Sequence, residues 1–333
     1  MKVFVTGCAG FIGNAVAERL LLNGNEVVGL DSLSDYYSKD LKLFRIKRSS
    51  NNTNFKFVHG DICDQRTIKD IFSEHKFDVV LHLAAQAGVR LPLEKSSIYI
   101  DSNIQGFLNI MRGSIESKVS KFLYASSSSV YGDEAEIPYV EHEKNLNPNS
   151  IYGLTKLADE KIAQILSRST GIKSRGLRFF TVYGPLGRPD MAYFRLIACA
   201  LTGIRFNLNG DGSVKRDFTY IDDIVNSIML LESELDERAT GFSDVVNIGG
   251  GNPVSISYLI DKIEQLTDRR ISINQLPENS SDVKETCANF SYLYSLTKQK
   301  PNVLFDDGIL QTLSWATSIE ILAQIKSWAE SVR

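Results

Sequence analysis

Six short apolar runs recur through the first half of the chain, at Lys2–Val5, Glu26–Leu30, Phe55–Val58, Val79–Leu83, Phe122–Tyr124 and Ser174–Phe179. Longer stretches of helical spacing, such as Phe11–Asn23 and Ile151–Ser169, alternate with them. That rhythm predicts βαβ units feeding a parallel sheet, an α/β fold. After about residue 180 the pattern loosens into a helix over 191–202, short strands near 206–208 and 217–220, a helix from Asp222 and a turn at Gly249-Gly250-Gly251. We read residues 181–333 as mainly a smaller α/β lobe closing over a cleft, with segments near 217–250 rejoining the sheet of residues 1–180. The stretch Asp306–Arg333 keeps helical spacing and predicts a surface helix.

Composition narrows the class. A chain of 333 residues with 43% hydrophobic and 23% charged side chains can bury one large core and a second lobe, which excludes disordered and fibrous proteins. The formal charge is -3, from 37 basic against 40 acidic residues, and supplies no field to gather nucleic acid or a membrane surface. An anionic substrate must therefore be held by a local group of arginines and lysines. Cys8, Cys63, Cys199 and Cys287 form no C-x-x-C pair, so we expect four small buried hydrophobes in a reduced, cytoplasmic protein. The first strand begins at Lys2 with no signal peptide ahead of it, and no run reaches bilayer-spanning length. His59, His75, His82 and His142 lack metal-ligand spacing, and no metal is expected.

The first strand runs into Thr6-Gly7-Cys8-Ala9-Gly10-Phe11-Ile12-Gly13 and then into a helix. In that context Gly7 makes a tight turn, Gly10 admits a pyrophosphate to the helix N-terminus, and Gly13 lets helix and sheet pack closely. Asp31, ending the second strand, can accept hydrogen bonds from ribose hydroxyls and would repel a 2′-phosphate, which favours NAD over NADP. Asp61, with Ile62 after it, follows the third strand where a carboxylate can meet an adenine amino group. These features predict a Rossmann-type doubly wound sheet.

Tyr152 and Lys156 stand i,i+4 on a helix that opens after Asn149-Ser150, so both project from one face. A phenol titrates near pH ~10, but an ammonium and a nicotinamide cation beside it favour the phenolate and make a base. The strand Phe122–Ala125 ends in Ser126-Ser127-Ser128-Ser129, about 25 residues earlier. Four consecutive hydroxyls with no helix to cap predict a polar site at the C-terminal edge of the sheet.

These motifs, with His82-Leu83-Ala84-Ala85-Gln86-Ala87-Gly88-Val89-Arg90 and Tyr152-Gly153-Leu154-Thr155-Lys156, resemble the extended short-chain dehydrogenase/reductase family of nucleotide-sugar epimerases over nearly the whole chain. Gly187–Ala192 and Lys215–Asp223 most resemble the UDP-glucuronate 4-epimerases. The resemblance implies NAD as cofactor, lined by Leu83, Ala84 and Ala85, with Ser127 as the hydroxyl beside Tyr152. It also implies a UDP-sugar with Ser128, Ser129 and Thr181 at the C6 end, Arg188 and Arg216 at the diphosphate, Asp282 at the uridine ribose, and Arg90 as a further contact. Sugar 4,6-dehydratases of this type carry Thr-Asp-Glu, and UDP-glucuronate decarboxylases Thr-Ser-Glu, where this chain has Ser127-Ser128-Ser129 with no carboxylate, which argues for epimerisation. Galactose-type epimerases place an arginine where this chain has Asn279, a departure that weakens a UDP-glucose reading and leaves one diphosphate contact unassigned; UDP-N-acetylglucosamine stands as a further alternative substrate. An idle NAD-binding regulatory protein keeps the same fold, but such proteins usually lose Tyr or Lys. The resemblance further implies a homodimer formed through the helices covering Ser102–Ser114 and Ile151–Ser169.

Overall fold

The computed structural model describes residues 1–88, 91–278 and 283–332. Its strands are β1 (Lys2–Thr6), β2 (Glu26–Asp31), β3 (Phe55–His59), β4 (Val79–His82), β5 (Lys121–Ser127), β6 (Lys173–Phe179), β7 (Thr181–Tyr183), β8 (Phe206–Asn209), β9 (Lys215–Tyr220), β10 (Ser243–Ile248), β11 (Pro253–Ser255) and β12 (Ile273–Leu276). Seven of them form one sheet in the order β10-β6-β5-β4-β1-β2-β3, every pairing parallel. The order reverses between β1 and β4, where Thr6 pairs with His82, and a crevice opens at such a point beyond the strand C-termini.

The sheet is covered on both faces, and side-chain alternation sorts each strand between two cores. Val3, Val5, Leu81, Leu123 and Leu177 face one, with the helices Phe11–Leu22, Ala192–Thr202 and Ile221–Glu234. Phe4, Val28, Val80, Phe122 and Tyr124 face the other, with Gln65–Glu74 and Phe107–Glu116. Each fully buried Val, Leu or Phe contributes about 1.5–3 kcal/mol relative to exposure. The helix before Phe107 widens into a π-helical turn over Ile100–Gly106, and Asn103 at its centre donates to Thr155 Oγ1 at 3.0 Å.

The second half builds two smaller sheets, β11-β9-β7 and β12-β8, on the side of the crevice. Of the stretch near 217–250, Ser243–Ile248 pairs with β6 in the main sheet, whereas Lys215–Tyr220 belongs to the three-stranded one. The end of the chain departs from the expected single surface helix. It breaks into Phe305–Ala316, Ile319–Leu322 and Ile325–Glu330, with Ile309, Ala316 and Trp328 fully buried. Thr317 and Ser318 leave the helix and turn the chain inward, so Trp328 packs against Phe44 with ring centroids 5.8 Å apart. All four cysteines are free thiols, but only Cys8 and Cys199 are buried; Cys63 and Cys287 are half-buried, because both lie on loops beside the crevice. No described helix is long and apolar enough to cross a membrane.

Candidate active site

A cavity of about 1310 Å³ runs along the C-terminal edge of the main sheet and under the smaller lobe. At one end lies the turn after β1. Gly7 has φ +72°, a conformation that costs other residues, and hydrogen-bonds through its N–H to Leu30 O at 2.7 Å. A Cβ on Gly13 would sit 2.1 Å from Gly7 O, so only glycine lets the helix start this close to the turn. The helix Phe11–Leu22 has no side-chain cap at Gly10, which leaves its first N–H groups open to the cavity. Phe11, Ile12, Leu83, Ala84, Ala85 and Ile62 line the same end. Asp31 also lines it, with its oxygens accepting from Ala9 N at 3.0 Å and Leu33 N at 2.8 Å; Asp61 accepts from Cys63 N at 2.8 Å.

Tyr152 and Lys156 enter from the helix Ile151–Thr170. Ser150 caps it by accepting from Gly153 N at 3.1 Å, and Gly171 ends it in the left-handed conformation. The cap fixes Tyr152 in the first turn, with its ring 6.1 Å from that of Tyr99, and both Tyr152 and Lys156 face the cavity. Lys156 is 1% exposed, and its Nζ lies 3.3 Å from Asp159 Oδ2. Burial, against the pull of Lys156, pushes the Asp159 carboxyl up to about 7.

The four serines at the end of β5 have separate tasks. Ser126 is buried and donates to Glu160 Oε1 at 2.6 Å, inside a network in which Arg178 grips both Glu160 oxygens at 2.8 Å. Ser127 Oγ accepts from Ser129 N at 3.1 Å and so caps the short 3₁₀ turn Ser128–Val130, where no helix was expected from the sequence. Ser127, Ser128 and Ser129 all line the cavity, as does Thr181 at the start of β7.

Two arginines also line the cavity. Arg188 donates from Nε to Asp190 Oδ1 at 3.0 Å, and this carboxylate raises the guanidinium pKa against the effect of burial. Arg216, on β9, donates to Val283 O at 2.7 Å. Every described residue that the sequence singled out for the site therefore lines one cavity, while Arg90, Asn279 and Asp282 lie outside the described residues.

Sequence reasoning missed Lys42 and Tyr36, both cavity-lining. Lys42 donates to Ser34 O at 2.7 Å, and burial lowers its pKa to about 8 despite Asp31. Burial raises Tyr36 to about 12, and its hydroxyl donates to Asp190 Oδ2 at 3.4 Å. No motif marks either; the loop after β2 brings them in.

Comparison with known proteins agrees with this fold. A UDP-glucuronate 4-epimerase from Thermodesulfobacterium geofontis is 38% identical over 324 residues, covering 97% of this chain and 98% of its own. UDP-glucuronate 4-epimerase 4 of Arabidopsis thaliana is 39% identical, covering 96% of this chain and 76% of its own. A crystal structure of UDP-glucuronic acid 4-epimerase from Bacillus cereus, in complex with UDP-glucuronic acid and NAD, superposes with a TM-score of 0.87 at 33% identity, covering 95% of this chain and 98% of its own. The NAD dependent epimerase/dehydratase family matches residues 3–249, nearly three quarters of the chain, and with the full-length relatives this places the protein in that family.

Proposed function

We propose that this protein is an NAD-dependent UDP-sugar 4-epimerase whose substrate is UDP-glucuronate and whose product is UDP-galacturonate. The observation that carries the reading is the one cavity in which the turn Gly7–Gly13, the group Ser127, Tyr152 and Lys156, and the arginines Arg188 and Arg216 meet. Residues 1–180 hold the dinucleotide in this reading, and residues 181–333 mainly the sugar nucleotide.

The site fits NAD on its own geometry: a glycine cradle that a Cβ would fill, an open helix N-terminus for the pyrophosphate, and a carboxylate at Asp31 for ribose hydroxyls. Gly10, Phe11, Ile12 and Gly13 give backbone to the pyrophosphate, while Asp61 and Ile62 serve the adenine and Leu83, Ala84 and Ala85 form the wall. When bound, NAD supplies a ring that accepts and returns a hydrogen at sugar C4. Tyr152 takes the 4-OH proton and gives it back, Ser127 hydrogen-bonds the same oxygen, and Lys156 holds the nicotinamide ribose beside the phenol. The 4-keto sugar turns over in the cavity before reduction on its other face, so no net redox change occurs.

A 4-keto uronate is a β-keto acid prone to lose CO2. Ser128, Ser129 and Thr181 are neutral donors for its carboxylate, and they place no acid beside it. Arg188 and Arg216 neutralise the diphosphate, guanidinium forks being suited to phosphate oxygens. Asp282 at the uridine ribose and Arg90 as a further contact complete the assignment.

We further propose a cytoplasmic homodimer. Ile100, just ahead of one of the two helices assigned to the interface, and Leu154 and Ile165 on the other expose apolar side chains.

The test is incubation with UDP-glucuronate, UDP-glucose and their N-acetylated analogues without added reductant, followed by chromatography. UDP-galacturonate is the expected product. UDP-xylose would instead identify a decarboxylase, turnover of a neutral or N-acetylated sugar alone would correct the substrate, and no turnover would leave an idle NAD-binding protein.

A further inference from the structure

Arg45 is fully buried, at 0% exposure, and among the described residues no carboxylate pairs with it. An unneutralised buried cation is costly unless its donors are all met. Here they are. Nε donates to Leu186 O at 3.0 Å, Nη2 to Leu186 O at 2.7 Å and Gly187 O at 2.9 Å, and Nη1 to Ala9 O at 2.9 Å and Tyr37 Oη at 2.8 Å. A guanidinium has five N–H donors, so this one is saturated while its charge is balanced only by dipoles.

The carbonyl acceptors stand just behind two different segments of the cavity wall, the glycine turn and the stretch ending at Arg188. Ala9 belongs to the glycine turn after β1, and its carbonyl faces Arg45 while the N–H of the next residue, Gly10, closes the turn onto Gly7 O at 2.9 Å. Leu186 and Gly187 immediately precede Arg188. Leu186 has φ +61°, a left-handed backbone in a residue with a branched side chain, and such a conformation persists only where its surroundings over-determine it. Two N–H groups of Arg45 on its one carbonyl do so. The helix Phe11–Leu22 is tied to the same point, since Asn14 Nδ2 donates to Arg45 O at 3.2 Å.

We infer that Arg45 is a positioning residue that couples the two halves of the cavity, so that filling the dinucleotide end fixes the Arg188 turn and tightens binding of the sugar nucleotide. This deepens the epimerase reading and rests on it. A pyrophosphate at the helix N-terminus brings negative charge to the turn whose carbonyl already leans on Arg45, and the buried cation gains the counter-charge it lacks. In a low-dielectric interior that attraction is large, and it opposes any movement of Arg45 that would release Leu186. Coupling of this kind is reciprocal, so UDP must also tighten NAD.

The experiment measures UDP binding by calorimetry to full-length protein, NAD-stripped and NAD-loaded. Wild type is expected to bind UDP about tenfold more tightly when loaded. Arg45→Lys keeps the charge but loses the fork; it is expected to retain NAD while the tenfold difference falls towards one, with the UDP-sugar KM raised and kcat kept. Arg45→Met removes both features and should lose NAD affinity as well. Tyr37→Phe deletes one acceptor with little change of volume; it keeps the test open if the Arg45 variants fail to fold, and it should shrink the difference. Equal UDP affinity in the two forms of wild type, or an undiminished difference in Arg45→Lys or in Tyr37→Phe, overturns the inference. Wild type that binds neither NAD nor UDP overturns the epimerase reading instead.

Discussion

Acid should weaken this fold through His82. The imidazole closes β4 at 2% exposure, with the rings of Phe107 and Phe122 at 5.5 and 6.1 Å. Ala84 N–H donates to Thr6 Oγ1 at 3.1 Å, and the same hydroxyl is hydrogen-bonded to His82 Nδ1 at 2.8 Å. Burial first, and then the Lys156 charge, lower the His82 pKa from 6.5 to about 3. The unfolded chain thus takes up a proton below pH 6.5 that the folded one refuses until about 3. Stability from this group is complete above pH 6.5 and is lost as the pH falls, by about 2 kcal/mol at pH 5. Urea unfolding of wild type and His82→Asn at pH 5 and pH 8 measures it. The side-chain amide of Asn can still hydrogen-bond to Thr6, but the ring packing is gone, so the variant is the less stable protein at pH 8. Its deficit should shrink by about 2 kcal/mol at pH 5. The other titrating groups are common to both proteins and cancel in the difference. A deficit that does not change with pH, or a His82 ring signal titrating near 6.5 in the folded wild type, would refute the reasoning.

Further outcomes are expected. Tyr152→Phe should lower turnover by more than about a hundredfold with NAD still bound, measured by chromatography and cofactor content. Gly13→Ala drives a Cβ into the backbone of Gly7; it should lower stability by about 1–3 kcal/mol and release NAD on gel filtration. Asp159 keeps its proton in the folded state up to about 7, whereas the unfolded state loses it near 3.9, so its contribution declines as pH rises between those values. The stability of Asp159→Asn relative to wild type, read by urea unfolding, should therefore climb from pH 5 to pH 8. Glu160→Gln strands the buried Arg178 and should cost about 3–5 kcal/mol in thermal unfolding.

What could be read from the sequence was what short-range pattern encodes. Strands such as Val79–His82 are covered on both faces and appear as unbroken apolar runs, and the glycine turn and Tyr152 with Lys156 obey spacing rules set by one turn of backbone. Groups brought in by distant segments left no such trace. Arg45 stands in a basic stretch, Lys-Leu-Phe-Arg-Ile-Lys-Arg, that looks like a solvated helix face, and its burial is explained by partners the spacing does not show, among them carbonyls 141 and 142 positions away. Lys42, one turn earlier, is hidden by the loop after β2, whose Ser34 accepts from its ammonium. The serine run misled in detail: Ser126 serves the Glu160 and Arg178 network, because its strand position aims its hydroxyl at the helix Ile151–Thr170. The last helix was expected to be longer than it is because apolar spacing continued through Thr317 and Ser318, where the backbone bends.

The widened turn at Ile100–Gly106 changes how one rod of the protein can be used. An extra residue in the coil rotates the later part of the rod by roughly a quarter of a revolution or more relative to the earlier part. Ile100 therefore looks outward, while Phe107, Ile110 and Met111 are sealed beneath the sheet. In a regular rod Ile100 would fall on the stripe of Phe107 and Met111, seven and eleven positions later, and force a choice between a sticky exterior and a filled interior. The irregular turn gives the exposed isoleucine and the core each their own side, and it places Asn103 at the pivot between them.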